Sequence, residues 1–226
     1  MERPIIFSDA MVRAILDGTK TQTRRLVRTL LPASEYEVVM HPGDGPALET
    51  FGDPLADEAE RRFCPYGVPG DRLWVREAHQ AHWVDDQRPD LDFTESQGVG
   101  WRVRYRATDG LVDLHYEDRG VGAWCRPSIH MPRWASRITL ELTDVRVQRL
   151  QDISSAAARA EGVTPVGYGA DAAAGEGHRL AFAFKWNEIH GGPTSITDGP
   201  PGPLGGAWAQ NPWVWALTFK RVQVAV

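Results

Sequence analysis

The sequence predicts an α+β protein in which a small barrel-like β-sheet carries flanking helices and long loop insertions. Three observations point to this fold class. Several segments alternate apolar and polar residues with the two-residue period of half-buried strands, as "WRVRYRA" does. One long alternating segment changes phase midway, which indicates the kind of β-bulge that bends strands in small barrels. Three other segments have helical periodicity, and two of these carry cap residues at their ends.

The composition is that of one globular domain with generous loops. The chain has 226 residues, of which 42% are hydrophobic and 24% charged, and we expect a single domain over 1–226. No apolar run approaches the length of a membrane span, and the opening "MERPIIFSDA" lacks the apolar centre of a signal peptide. We therefore expect a soluble, cytoplasmic protein without a membrane partner.

Charge and cysteine content restrict the partners and ligands. The formal net charge of -5 argues against a protein that coats duplex DNA by electrostatic attraction, although the arginines cluster locally. Cys64 and Cys125 form no CxxC pair, and together with His79, His82 and His130 they match no compact metal-ligand spacing. The sequence therefore predicts no disulfide framework and no metal site, and it implies no cofactor.

The first helix is predicted between Ser8 and Gly18. Ser8 suits the N-cap position, and Gly18 suits the left-handed position that follows a helix. The apolar stripe of this helix consists of Met11, Val12, Ile15 and Leu16. The polar and basic stretch "KTQTRR" then begins where the helix ends, near the negative end of its dipole.

Four strands are predicted further along the chain. "RLWVRE" lies at 72–77, "WRVRYRA" at 101–107, and "NPWVWALTFKRVQV" near the end, where Trp213 and Trp215 are expected to pack. The longest candidate begins near residue 138 and changes phase at Thr143-Asp144, which locates the bulge there. Its apolar side chains are Ile138, Leu140 and Leu142 before the change and Val145 and Val147 after it.

A later helix has an acidic residue where helices rarely favour one. Ser154 caps a short alanine-rich segment that stops at Gly162, with Glu161 in its last turn. Because the helix dipole disfavours a carboxylate there, Glu161 needs either exposure or a partner. The third helix is predicted over "HRLAFAFKWNEIHG". Loop insertions are predicted at 34–62, 85–100, 164–178 and 191–206.

The motifs "GTKTQTRR", "PGDRLWVRE", a long strand, "AAARAEG", a helix and "WVWALTFKR" follow one another in this order. This order resembles the ASCH family of the PUA-like superfamily over most of the chain outside the insertions. "KTQTRR", "CPYGVPGDRLWVRE" and "SIHMPRWASRITL" are similar to a larger ASCH-containing group often found in phages and prophages. The resemblance implies a small PUA-like β-barrel with a cleft for a nucleobase or nucleotide.

One branch that this chain resembles is the bacterial N4-acetylcytidine amidohydrolases, which remove an acyl group from the exocyclic nitrogen of cytidine. Members of that branch use a lysine, a threonine three residues later and a glutamate. These correspond here to Lys20, Thr23 and Glu161. Other ASCH and PUA-like members bind RNA or modified bases, and some have been reported to cut RNA. A non-catalytic reader and a ribonuclease are therefore alternatives to the amidohydrolase.

The implied catalytic set has chemical requirements of its own. A threonine hydroxyl needs a base, and a lysine serves as that base only when burial or nearby cations lower its pKa. Arg24 and Arg25 would act in that direction. In an extended strand Lys20 and Thr23 point to opposite faces, so a shared site requires a bend after Gly18.

Further side chains are candidates for contact with the substrate: Arg24, Arg25, Arg133 and Arg137 by charge, Trp74 and Trp134 by stacking, and Glu77 by hydrogen bonding. Guanidinium groups suit phosphate, although solvated arginines produce the same pattern. A tryptophan beside alternating aliphatic residues is more often part of the core, and Glu77 can instead pair on the sheet surface. The expected ligand is a nucleoside or a single-stranded nucleic acid, RNA rather than duplex DNA. The sequence leaves the oligomeric state open.

Overall fold

The computed structural model describes residues 1–28, 36–50, 61–84, 100–110, 125–166, 176–191 and 206–222, with the backbone alone at 82–84 and 100–102. Within these ranges the protein is a mixed α+β structure with ten strands in three sheets and five α-helices. The predicted α+β class is therefore confirmed. Across the same ranges, no helix has both the length and the apolar character needed to cross a membrane.

Within the described residues, most strands lie in the first half of the chain and most helices in the second. The strands are β1 (Glu2–Ile6), β2 (Gln22–Leu26), β3 (Tyr36–His41), β4 (Gly45–Thr50), β5 (Arg61–Phe63), β6 (Arg72–Arg76), β7 (His79–Val84), β8 (Gly100–Tyr105), β9 (Thr139–Arg149) and β10 (Trp213–Val222). The α-helices are α1 (Asp9–Leu16), α2 (Arg106–Asp109), α3 (Ser155–Ala160), α4 (Glu176–His190) and α5 (Gly206–Ala209).

The main sheet contains five strands in the order β1-β6-β9-β10-β2. β1 runs parallel to β6, and the other neighbours are antiparallel. Strand pairing does not close this sheet into a barrel within the described residues, so the predicted barrel is not seen as a closed ring. Arg25 of β2 donates a hydrogen bond to the Ile6 carbonyl of β1 (2.5 Å). We call the gap between these two edge strands the seam.

The predicted β-bulge is confirmed at Thr143. Thr218 of β10 pairs with Asp144, whereas the next residue, Phe219, pairs with Leu142, so the register skips Thr143. Leu142 and Val145 are both buried, and Thr143 between them is exposed. The extra residue therefore keeps the apolar side chains of β9 on the core side across the phase change.

Apolar side chains pack against both faces of the main sheet. Trp215 and Leu217 of β10 point into the larger cluster together with Phe7, and we call this side the inner face. Val214 points the other way, into a cluster that contains Phe182 of α4, and we call this side the helix face. Neighbouring residues divide between the faces because the side chains of a strand alternate.

The prediction of a loop over 34–62 is wrong for residues 36–50, which form a hairpin, and for Arg61 and Arg62, which lie in β5. β3 and β4 pair as an antiparallel hairpin, and β5 extends it to a three-stranded sheet. The continuous apolar run of Val38, Val39 and Met40 hid the two-residue period on which the strand prediction depends. The other predicted insertions fall largely outside the described residues, at 85–99, 167–175 and 192–205.

The remaining predicted elements are confirmed near their expected bounds. Ser154 caps α3, because its hydroxyl accepts a hydrogen bond from the Ala157 amide (3.1 Å). Gly18 and Gly162, which follow α1 and α3, both adopt a left-handed φ of 77°. β8 is a strand as predicted. Val103 and Arg104 are both partly buried, however, so β8 does not have the expected buried face and exposed face.

Candidate active site around Lys20 and Glu161

The chain turns sharply after α1 and brings Lys20 to the end of α3. Gly18 takes the left-handed conformation, and the Lys20 amide donates to the Ala14 carbonyl (2.9 Å). Lys20 then forms an isolated antiparallel bridge with Glu161, 141 residues away in sequence. β2 begins only at Gln22, so Lys20 is outside the extended strand and the predicted bend is present.

The Lys20 ammonium and the Arg24 guanidinium bind the same carboxylate. Lys20 Nζ donates to Glu161 Oε2 (2.8 Å) and to the Glu161 backbone carbonyl (2.9 Å). Arg24 Nη1 donates to the other carboxylate oxygen, Oε1 (2.9 Å). All three side chains are at most 5% exposed. The acid at the end of α3 is therefore buried with two partners.

This buried cluster holds two basic groups and one carboxylate. A guanidinium keeps its proton in proteins, so Lys20 is the group whose charge can adjust. Burial is the largest influence and lowers the pKa of Lys20; Glu161 raises it, and Arg25 and Arg24 lower it again, so the pKa ends below its ordinary value. In its neutral form the amine has two N–H donors, which match the two Glu161 oxygens that Lys20 Nζ contacts, and the lone pair of that form can accept a proton.

Thr23 lies in β2 with its side chain on the inner face. It pairs with Leu217 of β10 and is buried. Arg25 projects from the same face, and its guanidinium carbon and Lys20 Nζ lie 5.0 and 5.7 Å from the centre of the Phe7 ring. Lys20 and Thr23 therefore both adjoin the inner-face cluster. Within the described residues, no hydrogen bond joins the Thr23 hydroxyl to Lys20.

Arg24 has different surroundings, although it neighbours both Thr23 and Arg25 in sequence. It pairs with Ala216 of β10 and points to the helix face, where its guanidinium carbon lies 5.7 Å from the centre of the Phe182 ring. The structure thus brings Lys20, Arg24 and Glu161 into direct contact and leaves Arg25 at the seam. Sequence reasoning had no signal for Phe7 or Phe182, because both contacts depend on the tertiary fold.

Gly162 lies closer to Lys20 than a side chain would allow. A Cβ at Gly162 would be 2.9 Å from Lys20 Cβ and 3.1 Å from Ala14 Cβ. Gly18 has the same φ of 77°, yet a Cβ there would meet no atom within 4 Å. The two glycines therefore share a conformation and differ in whether they contact the cluster.

We expect Gly162→Ala to destabilise the protein more than Gly18→Ala. Both substitutions put alanine in the left-handed region, at a cost of roughly 1–2 kcal/mol. Only Gly162→Ala must also displace Lys20 or Ala14, which adds about 1–3 kcal/mol of overpacking. Urea unfolding measures both losses. Equal losses at the two positions would contradict the close packing of Gly162 on Lys20.

Glu77 and Arg137, both candidates for substrate contact, bind each other. Arg137 donates through Nε and Nη2 to the two carboxylate oxygens, each at 3.0 Å, and lies 3.8 Å from the centre of the Tyr105 ring. Burial raises the pKa of Glu77, and Arg137 opposes that rise. The Tyr105 hydroxyl donates to the Ala135 carbonyl (2.9 Å). These groups satisfy one another and form a structural connection between three chain segments.

We expect Glu77→Ala to cost about 2–3 kcal/mol of unfolding free energy. The change leaves the Arg137 guanidinium unpaired, and the cost stays below the roughly 3–5 kcal/mol of a fully buried pair because the Arg137 side chain is 27% exposed. Glu2→Ala is the matched control. Glu2 makes the same two-bond pair with Arg133, but those side chains are 38% and 41% exposed, so we expect about 0.5 kcal/mol or less. Chemical denaturation of both variants tests this; equal losses would contradict it.

Trp74 and Trp134, the candidate stacking residues, both lie outside the core. Trp74 points outward from β6, and Arg76 and Arg133 lie over its ring with guanidinium carbons 5.5 and 5.9 Å from its centre. Trp134 is 58% exposed. The expectation that such tryptophans join the core is therefore wrong here, because Trp74 occupies the outward phase of its strand.

The cysteines and histidines form no shared centre in the described part of the chain. Cys64 is buried, and burial raises the pKa of its thiol to about 11, which keeps it protonated. His79 is also buried, and its ring nitrogen Nδ1 hydrogen-bonds the Glu77 carbonyl at 3.2 Å. No group of three or more histidine, cysteine, aspartate or glutamate side chains within the described ranges is arranged to hold a metal ion.

Comparisons with known proteins yield no relative for this chain. No protein-family model matches it, and searches of curated proteins and of solved structures find no match either. The resemblance to the ASCH family thus depends on the sequence motifs, and its functional implication depends on the geometry around Lys20, Thr23 and Glu161.

Proposed function

We propose that this protein has an ASCH-type, PUA-like fold, binds a nucleobase or nucleoside beside the seam, and hydrolyses the amide of N4-acylated cytidine. One observation carries the proposal: the Lys20 amine is completely buried beside Arg24, and the two side chains share the Glu161 carboxylate. Burial and the neighbouring Arg25 and Arg24 lower the pKa of Lys20 while Glu161 raises it, and the net direction is toward the neutral amine, which is the form that can act as a general base.

In the proposed reaction, Lys20 accepts the Thr23 hydroxyl proton as the threonine oxygen attacks the acyl carbon. The bond between that carbon and N4 of cytidine then breaks, and the Lys20 ammonium returns a proton to the leaving nitrogen. Water hydrolyses the acyl-threonine ester, with Lys20 again taking and returning a proton, to release the carboxylic acid. Glu161 orients the amine and stabilises the ammonium while it exists.

The substrate reaches these residues through the seam in this proposal. Lys20 and Thr23 are both buried, whereas the Arg25 guanidinium spans the gap between the edge strands with one hydrogen bond to the Ile6 carbonyl. Entry of a cytosine base requires that single hydrogen bond to break or to be replaced by one to the substrate. The cost is modest, because a hydrogen bond from a charged group contributes about 1.5–3 kcal/mol.

Hydrolysis of N4-acetylcytidine by the purified wild-type protein tests the proposal directly. The assay follows release of cytidine and acetate by chromatography, with the substrate supplied as the free nucleoside and within a short single-stranded RNA. We expect turnover of at least one of these substrates. Absence of turnover by folded protein with either substrate would refute the amidohydrolase.

A non-catalytic reader of RNA or modified bases is the second candidate. The observation that favours it is the absence, within the described residues, of a hydrogen bond between Thr23 and Lys20. A reader would bind N4-acetylcytidine or single-stranded RNA without turnover, and Thr23→Val would leave that affinity unchanged. Equilibrium binding of both ligands to the wild type and to Thr23→Val therefore distinguishes the reader from the enzyme.

A further inference from the structure

The hairpin of β3 and β4 has one edge that no strand covers in the described part of the chain. The three-stranded sheet has the order β3-β4-β5, so β3 pairs with β4 alone. An edge strand presents backbone N–H and C=O groups that can form the same hydrogen bonds with a further strand. We call the side of β3 that faces away from β4 the β3 edge.

The exposure of β3 increases along the strand toward the hairpin turn. Tyr36, Val38 and Met40 lie on one face of the hairpin, because alternate residues of a strand share a face. These side chains are 3%, 42% and 68% exposed, in that order. Tyr36 belongs to the larger apolar cluster, whereas Met40 at the far end faces solvent. The hairpin therefore extends beyond the core with apolar side chains in solvent, a feature that marks interaction surfaces.

β3 also lacks the residues that keep other edge strands apart. Charged side chains and prolines on an edge prevent pairing between molecules. β5, at the opposite edge of the same sheet, is only three residues long and contains Arg61 and Arg62. β1, at an edge of the main sheet, contains Arg3 and Pro4. The sequence of β3, "YEVVMH", has no lysine, arginine or proline, so this edge is open to pairing.

The other face of the hairpin has an acceptor at one end of β3 and a donor at the other. The exposed Glu37 lies directly opposite Glu49 of β4, and like charges in that position repel each other. Glu49 is bound by Arg61 and by Nε2 of His41 (2.5 Å), whereas Glu37 forms no salt bridge with any described residue. His41 retains its second ring nitrogen, Nδ1, which can donate a hydrogen bond.

We propose that two copies of this chain pair through their β3 edges as antiparallel strands related by a two-fold axis at Val39. In this register Val38 lies opposite the partner's Met40, and Glu37 lies opposite the partner's His41. Opposite residues of antiparallel strands project to the same face. The exposed apolar side chains therefore meet on one face, and the carboxylate meets the imidazole on the other.

No neighbouring register provides both contacts. A shift of one residue reverses the faces of the incoming strand, so apolar side chains would oppose polar ones. A shift of two residues in either direction separates Glu37 from the partner's His41, and one of the two then lies beyond the end of the opposing strand. Pairing at Val39 is also self-complementary, as a two-fold interface requires. The geometry thus selects a second copy of this chain as the partner.

The expected dimer is weak and joins the two three-stranded sheets into one continuous sheet. A contact of this length is small beside the roughly 1,200–2,000 Å² of stable complexes. We therefore expect a Kd on the order of 10 µM. This inference does not depend on the proposed reaction, because the residues of β3 are outside the cluster of Lys20, Arg24 and Glu161.

Sedimentation equilibrium of the full chain at about 1–200 µM tests the dimer on both sides of that Kd. We expect Met40→Lys to raise the Kd at least about tenfold, because each dimer contains two contacts of Met40 with the partner's Val38. Glu37→Lys is expected to raise the Kd about fivefold. The same change should not lower the free energy of unfolding of the monomer, since a lysine at this position faces Glu49.

Two matched controls make the same chemical changes on α4. Ile189→Lys replaces another exposed apolar side chain, and Glu176→Lys replaces another exposed glutamate. Both are expected to have the Kd of the wild type. A wild type that stays monomeric throughout the concentration range would overturn the proposal. So would a dimer whose Kd changes equally in the β3 and α4 variants, because its interface would lie elsewhere.

Cross-linking tests the register. Opposite Cα atoms of antiparallel strands lie about 4.5–5.5 Å apart, within the roughly 4.4–6.8 Å of a disulfide. Val39→Cys in a Cys125→Ser background should therefore form a covalent dimer on mild oxidation, while Cys64 stays buried. In Glu37→Cys the two introduced thiols are four residue positions apart, about 13 Å, and should not link. Equal linking of both variants, at concentrations where both sediment as dimers, would overturn the pairing at Val39.

Discussion

Lys20→Met and Thr23→Val are each expected to lower kcat/KM for N4-acetylcytidine by about 10²–10⁴-fold. Methionine keeps the length of the side chain and removes the proton acceptor, whereas valine keeps the branched shape and removes the hydroxyl. Lys20→Met leaves Glu161 paired with Arg24 alone, a neutral buried pair, so we expect the variant to fold. Chromatographic rate measurements on variants with native circular dichroism check the prediction.

The pH dependence of the wild-type reaction provides a second test of Lys20 as the general base. The neutral amine is the active form, so kcat/KM is expected to rise with pH through the lowered pKa of Lys20 and to be lost as pH falls through it. The free energy of unfolding also rises with pH. Between the folded pKa and the unfolded value near 10.5 the unfolded chain binds more protons, so the wild type gains unfolding free energy with pH relative to Lys20→Met.

Lys185→Met is the control for both measurements. Lys185 lies on α4 and pairs with Glu188 one turn away, near the surface. Its removal is expected to change neither the rate nor the pH dependence of stability. A full rate in Lys20→Met, or a rate in the wild type that falls as pH rises from neutral, would contradict the role of Lys20 as the base.

Glu161→Ala is expected to cost about 3–5 kcal/mol of unfolding free energy. The carboxylate accepts hydrogen bonds from both Lys20 and Arg24, and its loss leaves two buried basic groups facing each other without an anion. Lys20→Met should cost less, because the Glu161 carboxylate keeps its hydrogen bond from Arg24. Urea unfolding at neutral pH measures the difference.

Two further variants make this prediction sharper. Glu161→Gln keeps an acceptor but removes the charge, so its loss should fall between those of Glu161→Ala and the wild type. Glu176→Ala removes an exposed glutamate that pairs with Arg179 on the surface of α4, and should cost about 0.5 kcal/mol or less. If Glu161→Ala were no more costly than Lys20→Met, the two basic groups would not depend on this carboxylate.

Local signals in the sequence predicted much of the fold and the first part of the site. The phase change at Thr143 located the bulge because a single extra residue reverses every later side chain. Glu161 drew notice because an acid at a helix C-terminus is unfavourable, and the structure supplies the required partners. In both cases a short stretch of sequence departs from the pattern of a regular strand or helix, and few local structures can accommodate that departure.

The features of the fold and of the site that the sequence did not predict depend on contacts between residues that are distant in sequence. The parallel pairing of β1 with β6 and the sheet order require knowledge of which edges meet, and no periodicity encodes it. Glu77 and Arg137 looked like free polar groups because each was considered without the other. The hydrogen-bond pattern at Lys20 was likewise invisible, since it requires the fold to bring the chain back 141 residues later.

The pairing of β2 has a consequence for how the chain folds as it is made. β2 carries Thr23 and Arg24, yet its neighbour in the sheet is β10, and Gln22 contacts Thr218 across 196 residues. Contacts of such separation form late because a long loop must close first. During synthesis β2 therefore has no strand to pair with until β10 has been made. Lys20 likewise has no carboxylate partner until Glu161 has been made. Nascent chains that stall before β10 would expose that edge, and they are expected to depend on chaperones and to aggregate without them.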